Sequence, residues 1–327
     1  MKTAIAAAVC CSLIAGAQTP KTGAERIRLG RYLFYDRRMS VNGTTACATC
    51  HRQELAFTDG RARAQGATGK LHPRSSMSLV NVARNRIFNW SDPTVHSLEA
   101  QALKPMFSTN PVELGLGSME AEFLRLLGSD PIYAPLFRLA FPTQTYPYTI
   151  ANVAQALAAF ERIIVSTNSP YDRFHHGDAN GISEAAKRGE ILFFLDGGPS
   201  CFRCHTGTNF SDGRFHNTAL YNPYPAPNLG LFEHTRLLID TGKFKTPTLR
   251  NIALTAPYMH DGSIATLEEV MEHYAAGGRA HDNPSKDRLM HGFQMTSRNR
   301  ADLVAFLRSL TDDDMIHDPD LADPWGK

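Results

Sequence analysis

Cys201-Phe202-Arg203-Cys204-His205 repeats the spacing of Cys47-Ala48-Thr49-Cys50-His51, 154 residues upstream. Two thiols at this spacing can add to the two vinyl groups of a porphyrin, and a histidine directly after them falls under the iron as an axial ligand. That is covalent c-type haem attachment, and a chain carrying the motif twice is expected to hold two haems. Two other chemistries use a Cys-x-x-Cys pair: a thioredoxin-like dithiol and half of a zinc site. Zinc would need both pairs close in space, and neither alternative explains a histidine after each pair.

The N-terminus bears on where this chemistry takes place. Met1-Lys2 precedes an apolar run from Ala4 to Ala15, then the small residues Ala15-Gly16-Ala17 before Gln18. This reads as a cleavable signal peptide over 1–17. A buried helix is the alternative, but nothing amphipathic continues the run. A lipoprotein signal ending at Cys10 or Cys11 fits poorly, since Val9 is bulky. No other stretch is apolar enough to cross a bilayer, so no span is expected after cleavage. Of six cysteines, Cys10 and Cys11 leave with the signal and the other four attach haem, which leaves none for a disulfide. Export to the periplasm agrees with c-type haem, which is attached outside the cytoplasm. A formal charge of +2 with no long basic run gives no reason to expect a nucleic-acid partner.

The elements that must position these groups read as helices. Thr22-Gly23-Ala24-Glu25 has the form of a capping box opening a helix through Phe34. Gly-x-x-Leu-Phe occurs at Gly30–Phe34 and again at Gly189–Phe193, each time shortly before a haem motif. This weak repeat predicts two related cytochrome c-like haem domains, 18–166 and 167–327, packed around a shared interface in a mainly α fold. Further helices are expected over 97–103, 119–127, 152–165 and 297–310. Val153, Ala156, Leu157, Phe160, Ile163 and Ile164 form one apolar face, as do Leu303, Phe306, Leu307 and Leu310. Thr266-Leu267-Glu268-Glu269 is a second capping box, and its helix puts Leu267, Val270, Met271 and Tyr274 on one face. The polar stretch 166–182 reads as a linker, and 207–245 as a long segment wrapping a haem edge. No strand pattern is evident.

Taken with Leu33-Phe34-x-Asp36, Trp90, Asn110-Pro111-Val112-Glu113, Phe244 to Asn251 and Thr255 to Gly262, the chain resembles the bacterial dihaem cytochrome c peroxidase and MauG superfamily. The likeness spans nearly the whole mature chain. Phe215-His216-Asn217-Thr218, Asp261 to Glu269 and His273 to Gly278 are similar, more narrowly, to the methanobactin-associated MbnH dihaem enzymes. The resemblance implies an N-terminal haem that meets hydrogen peroxide and a six-coordinate C-terminal haem. It also implies a Ca2+ between them, held by the side chain of Asn81 and the carbonyls of Thr255 and Pro257. Oxygen donors suit that hard cation.

The sixth ligand of the second haem decides between activities. In the peroxidases the superfamily register places a methionine fourteen residues after the position of His260; here that residue is Tyr274, where MauG and MbnH carry an axial tyrosine. A neutral thioether favours ferrous iron, whereas an anionic phenolate favours higher oxidation states. A tyrosine packed in the core is the alternative reading for Tyr274, and Met271 and Met259 compete as ligands. If Met271 were the ligand, an ordinary peroxidase would result. At the peroxide haem the resemblance assigns Glu113 as distal acid, Gln101 as distal amide and Pro105 as a residue limiting access. A solvated loop carboxylate is the alternative for Glu113. The register of a capping histidine falls near Thr68, and His72 lies too near Arg74 to match, so this haem is expected to be open at rest. Trp90 corresponds to a charge relay between the haems. Pro199 stands where MauG has a tryptophan that draws electrons from its protein substrate. His96, His175, His176, His234, His281, His291 and His317 read as loop or surface residues.

The resemblance thus implies a periplasmic enzyme that uses hydrogen peroxide to oxidise a partner protein residue. Its narrower form is tryptophan to kynurenine on a small MbnP-like partner, through a state with both irons as Fe(IV). The alternatives are a cytochrome c peroxidase fed by a small cytochrome c or cupredoxin, and a non-catalytic dihaem electron carrier.

Overall fold

In a computed structural model describing residues 21–326, helix Lys21–Tyr35 crosses helix Ile150–Glu161 at Gly30. A Cβ added at Gly30 would stand 1.9 Å from the Ala156 carbonyl oxygen, so only glycine allows the two backbones to approach this closely. Helix Glu184–Phe194 crosses helix Ser297–Arg308 in the same way, where a Cβ on Gly189 would stand 1.9 Å from the Asp302 carbonyl oxygen. The paired Gly-x-x-Leu-Phe segments therefore mark two equivalent helix crossings. Phe34 and Phe193, four residues on, are buried beneath them.

Each crossing sits in its own hydrophobic core. The first joins Leu29, Leu33 and Phe34 to Val153, Leu157 and Phe160; the second joins Phe193 to Leu303, Phe306, Leu307 and Leu310. Tail residues Met315 and Leu321 return to the first core, and Trp325 packs edge-on against Tyr32 with centroids 5.1 Å apart. Several contacts join the halves. Arg74 donates to Asn228 and Glu233, and Asn81 is tied through Ser166 to Asn251. A Cβ on Gly262, whose φ is +65°, would meet the Ala62 backbone at 2.2 Å.

The structure is mainly helical, and its only named strands among the described residues form one short antiparallel pair, Phe215↔Lys245 and His216↔Phe244. Several boundaries differ from expectation. Helix Lys21–Tyr35 already includes Thr22, which is therefore not its N-cap. Helix Leu98–Phe107 runs past residue 103 with Pro105 inside it, so the Gln101 carbonyl loses its intrahelical donor, while the Pro105 carbonyl accepts from Leu114 N. The 166–182 stretch contains helix Pro170–His175, capped by Ser169 and Asp172, and helix Tyr133–Ala140 was not anticipated. The capping box of Thr266 and Glu269 is present and opens helix Leu267–Ala275. The signal-peptide expectation lies outside the described residues. No helix among those described is long and apolar enough to cross a membrane.

Overpacking a tight helix crossing costs about 1–3 kcal/mol or more. Gly30→Ala and Gly189→Ala should each lower unfolding free energy by at least about 2 kcal/mol in denaturant titration, and a loss below about 0.5 kcal/mol would refute the close-crossing account.

Candidate active site

Two cavities open in the protein, one to each Cys-x-x-Cys-His motif. Cys47, Cys50 and His51 line the first; Cys201, Cys204 and His205 line the second. The His51 ring meets the Phe57 carbonyl through Nδ1 at 2.9 Å, and the His205 ring meets the Phe210 carbonyl at 3.0 Å. A backbone carbonyl can only accept, so Nδ1 carries the proton in both rings and Nε2 is left as the ligating nitrogen. Phe57 and Phe210 both have positive φ, 58° and 48°, which turns each carbonyl towards its histidine.

The thiols are not activated for redox chemistry. Burial pushes Cys50 up to about 11 and Cys201 to about 12, the reverse of an activated dithiol. The two pairs also occupy separate cavities, which removes the shared zinc site. Half-buried, paired thiols beside an imidazole of set tautomer fit covalent haem.

Gln101, Pro105 and Glu113 also line the first cavity. Gln101 comes from helix Leu98–Phe107, which Ser97 caps, and its side-chain oxygen is buried without a hydrogen-bond partner. Glu113 is held by its backbone: its N–H donates to Ser108 Oγ at 2.9 Å and its carbonyl accepts from Ala67 N at 2.7 Å. Gly66 makes room for that loop, since a Cβ there would lie 2.0 Å from the Val112 carbonyl oxygen. Burial raises the Glu113 carboxyl above the usual glutamate range, with Ser108 opposing the shift. Glu113 is therefore not a freely solvated carboxylate. His72 also lines this cavity, and its Nδ1 accepts from Arg74 N at 3.1 Å. The neutral ring then carries its proton on Nε2, which makes that nitrogen a donor and not an iron ligand.

Helix Leu267–Ala275 presents Leu267, Val270, Met271 and Tyr274 to the second cavity, which His205 also lines. The Tyr274 hydroxyl makes no hydrogen bond among the described residues, and burial raises its pKa well above the ordinary phenol value. Tyr274 is half-buried, and its hydroxyl is free to meet a group held in the cavity. Met271 and Met259 line the same cavity, as does His260, whose Nε2 is buried and unpartnered and whose ring stacks on Phe244 at 3.7 Å. Trp90 lines both cavities. Its Nε1 donates to the Ser75 carbonyl at 3.0 Å and its carbonyl accepts from Lys245 N at 2.9 Å, so both halves hold it.

A family model described as di-haem cytochrome c peroxidase matches residues 24–180. The chain is 40% identical over 286 residues to methylamine utilization protein MauG of Methylorubrum extorquens, covering 88% of this chain and 78% of that protein. It belongs to the dihaem cytochrome c peroxidase and MauG family. Cytochrome c551 peroxidase of Nitrosomonas europaea is 30% identical, with 91% and 83% covered. The solved structure of a MauG-like protein associated with microbial copper homeostasis matches with a TM-score of 0.90 at 39% identity, covering 98% of this chain and all of that one. As a family member the chain is a dihaem, peroxide-dependent oxidoreductase.

Three charged residues at these cavities escaped the sequence reading. Glu161 lines the first cavity, and burial pushes its carboxyl up to about 8. It continues the inward face of Val153 and Leu157, so an acid at an apolar register position was the available signal. Lys245 is 2% exposed, lines the second cavity and is pushed down to about 8 by burial. His216, also at the second cavity, is clamped between Asp212 at 2.9 Å and Asp287 at 2.6 Å, which hold it as the imidazolium.

Because its folded pKa is raised, Glu113 becomes a carboxylate only above the ordinary value of about 4.3. The rate of the first reaction with peroxide should therefore fall as pH drops through an apparent pKa above that value. Glu113→Gln should lose about 10²–10⁴-fold together with the titration step, as stopped-flow Soret traces at varied pH would show. An unchanged rate in the variant would exclude the acid–base role.

Proposed function

We propose that this chain is a periplasmic enzyme that uses hydrogen peroxide to oxidise a residue on a partner protein. Tryptophan-to-kynurenine conversion on a small MbnP-like periplasmic protein is its sharpest form. The observation that carries the reading is Tyr274, a half-buried phenol with no hydrogen-bond partner among the described residues, on the wall of the cavity that His205 also lines. The MauG-like copper-homeostasis structure, similar over the whole chain, supports the same reading.

When bound through Cys47, Cys50 and His51 and through Cys201, Cys204 and His205, the haems supply the peroxide-binding iron and the store of oxidising equivalents. Glu113 takes a proton from one peroxide oxygen and returns it to the other, the move that breaking the O–O bond requires. Gln101 orients peroxide beside it. Pro105 and Leu114 narrow access from solvent. Tyr274 would offer the second haem a phenolate, a hard anionic donor that would favour higher oxidation states of the iron over the ferrous one. Trp90, fastened to both halves, links the two cavities. Among the described residues lining the first cavity the one histidine besides His51 is His72, whose Nδ1 is engaged by Arg74 N.

Met271 and Met259 in the second cavity support a second reading, a peroxidase fed by a small cytochrome c or cupredoxin. Peroxide added to the ferric protein distinguishes the two. The first reading expects a long-lived species with near-infrared charge-resonance absorption that Tyr274→Phe and Tyr274→Met both abolish. Rapid turnover with reduced cytochrome c and a methionine-ligated ferrous haem would instead establish the second.

A Ca2+ between the halves belongs to the same proposal, with Asn81, Thr255 and Pro257 as ligands. Asn81 Oδ1 already accepts from Ser166 N at 2.9 Å, but an amide oxygen has a second lone pair to offer. Binding at a hundredfold excess over Kd would add about 2.7 kcal/mol, so a chelator should lower Tm by roughly 5 °C. An unmoved Tm would remove calcium from the account.

A further inference from the structure

Pro199 leaves no oxidisable side chain where MauG draws electrons from its protein substrate, yet the proposed reaction needs an exit from the second cavity to the surface. An aromatic series on a different face provides one. Phe244 and His260, stacked at 3.7 Å, form part of the wall of the second cavity. Tyr224 lies behind them, 6.3 Å from Phe244 and 6.2 Å from His260, and its ring packs edge-on to Tyr221 at 5.6 Å. Tyr224 is buried and Tyr221 is partly exposed, so the series runs from cavity to solvent.

The hydrogen bonds decide which member can hold a radical. Removing an electron from a phenol makes its proton very acidic, so the step is easy only where a base receives that proton. Tyr224 Oη donates to the Asn217 amide oxygen at 2.9 Å, and Tyr258 Oη to the Ile252 carbonyl at 3.2 Å; neither acceptor is a base. Tyr221 Oη donates to Asp261 Oδ2 at 2.7 Å. Asp261 is held ionised, so it alone among these acceptors is a carboxylate able to take up the proton, and its loop is fixed because Ser263 N donates to its other oxygen. In the first half, Tyr133 makes an equivalent bond to Asp36 at 2.7 Å, but Tyr133 is fully buried and offers a partner no surface.

We infer that Tyr221, with Asp261 as its proton acceptor, is the surface electron relay of the second haem site, reached through Tyr224 and Phe244. This rests on the functional reading above. Hydrogen peroxide is the oxidant. One electron leaves Tyr221 for the peroxide-oxidised haem centre while its phenol proton passes to Asp261 Oδ2. The resulting neutral tyrosyl takes an electron from a residue of the docked partner, and Asp261 returns the proton. Tyr221 and Asp261 end unchanged, and the partner has lost one electron for each cycle.

The test is EPR on the haem-loaded protein, freeze-quenched after one equivalent of hydrogen peroxide without partner, with ring-deuterated tyrosine to identify the radical. The wild type is expected to give a tyrosyl signal that narrows on deuteration. Tyr221→Phe should abolish it, and Asp261→Asn, which keeps an acceptor but removes the base, should reduce it at least tenfold. Tyr146→Phe, at an exposed tyrosine of the first half, is the control that retains it. A signal that survives Tyr221→Phe, or a wild type that shows the optical response to peroxide without any tyrosyl, would overturn the relay. Absence of the optical response itself would instead count against the functional reading on which the relay rests.

Discussion

The hydrogen bond from a histidine Nδ1 to the carbonyl of a left-handed phenylalanine is the constraint on which both halves depend. A Cys-x-x-Cys-His segment can attach porphyrin only if the imidazole presents Nε2 beneath it. His51 and His205 are each held in that tautomer by Phe57 and Phe210. The glycine helix crossings, the buried Phe34 and Phe193 and the two cores all serve to hold these two loops against a cavity.

From that common base the halves diverge in the other residues that line each cavity. In the first, a short helix and a loop carried over Gly66 bring an amide and an acid, Gln101 and Glu113, into an otherwise apolar chamber. In the second, a well-capped helix brings an apolar face and one phenol, Tyr274. Proton transfer suits the first and a closed coordination sphere the second. Trp90 belongs to both, since its ring nitrogen bonds one half and its carbonyl the other. The division of labour is thus local chemistry placed on a duplicated frame.

Much of this was legible in the sequence because it is local. The haem motifs, the Thr266 capping box and the inward face from Leu267 to Tyr274 depend on short-range spacing, and the helix appears where that spacing puts it. The paired Gly-x-x-Leu-Phe segments signalled duplication, but not that the glycines permit a helix crossing, because Ala156 and Asp302 lie more than a hundred residues away. Long-range placement also hid the return of Met315 and Leu321 to the first core, and the burial of Lys245 and Glu161 at the cavities. Tyr221 gave no motif and Asp261 stood in one without a role of its own; only the fold brings a surface phenol onto a carboxylate 40 positions later.

The central claim is that Tyr274 closes the second iron. Resonance Raman spectroscopy of the ferric, haem-loaded protein tests it most directly, because an iron-bound phenolate contributes enhanced tyrosinate modes. The account predicts those modes in the wild type, shifted by ring-deuterated tyrosine and lost in Tyr274→Phe. Their absence from the wild type, with a sulfur-ligated low-spin haem in their place, would contradict it.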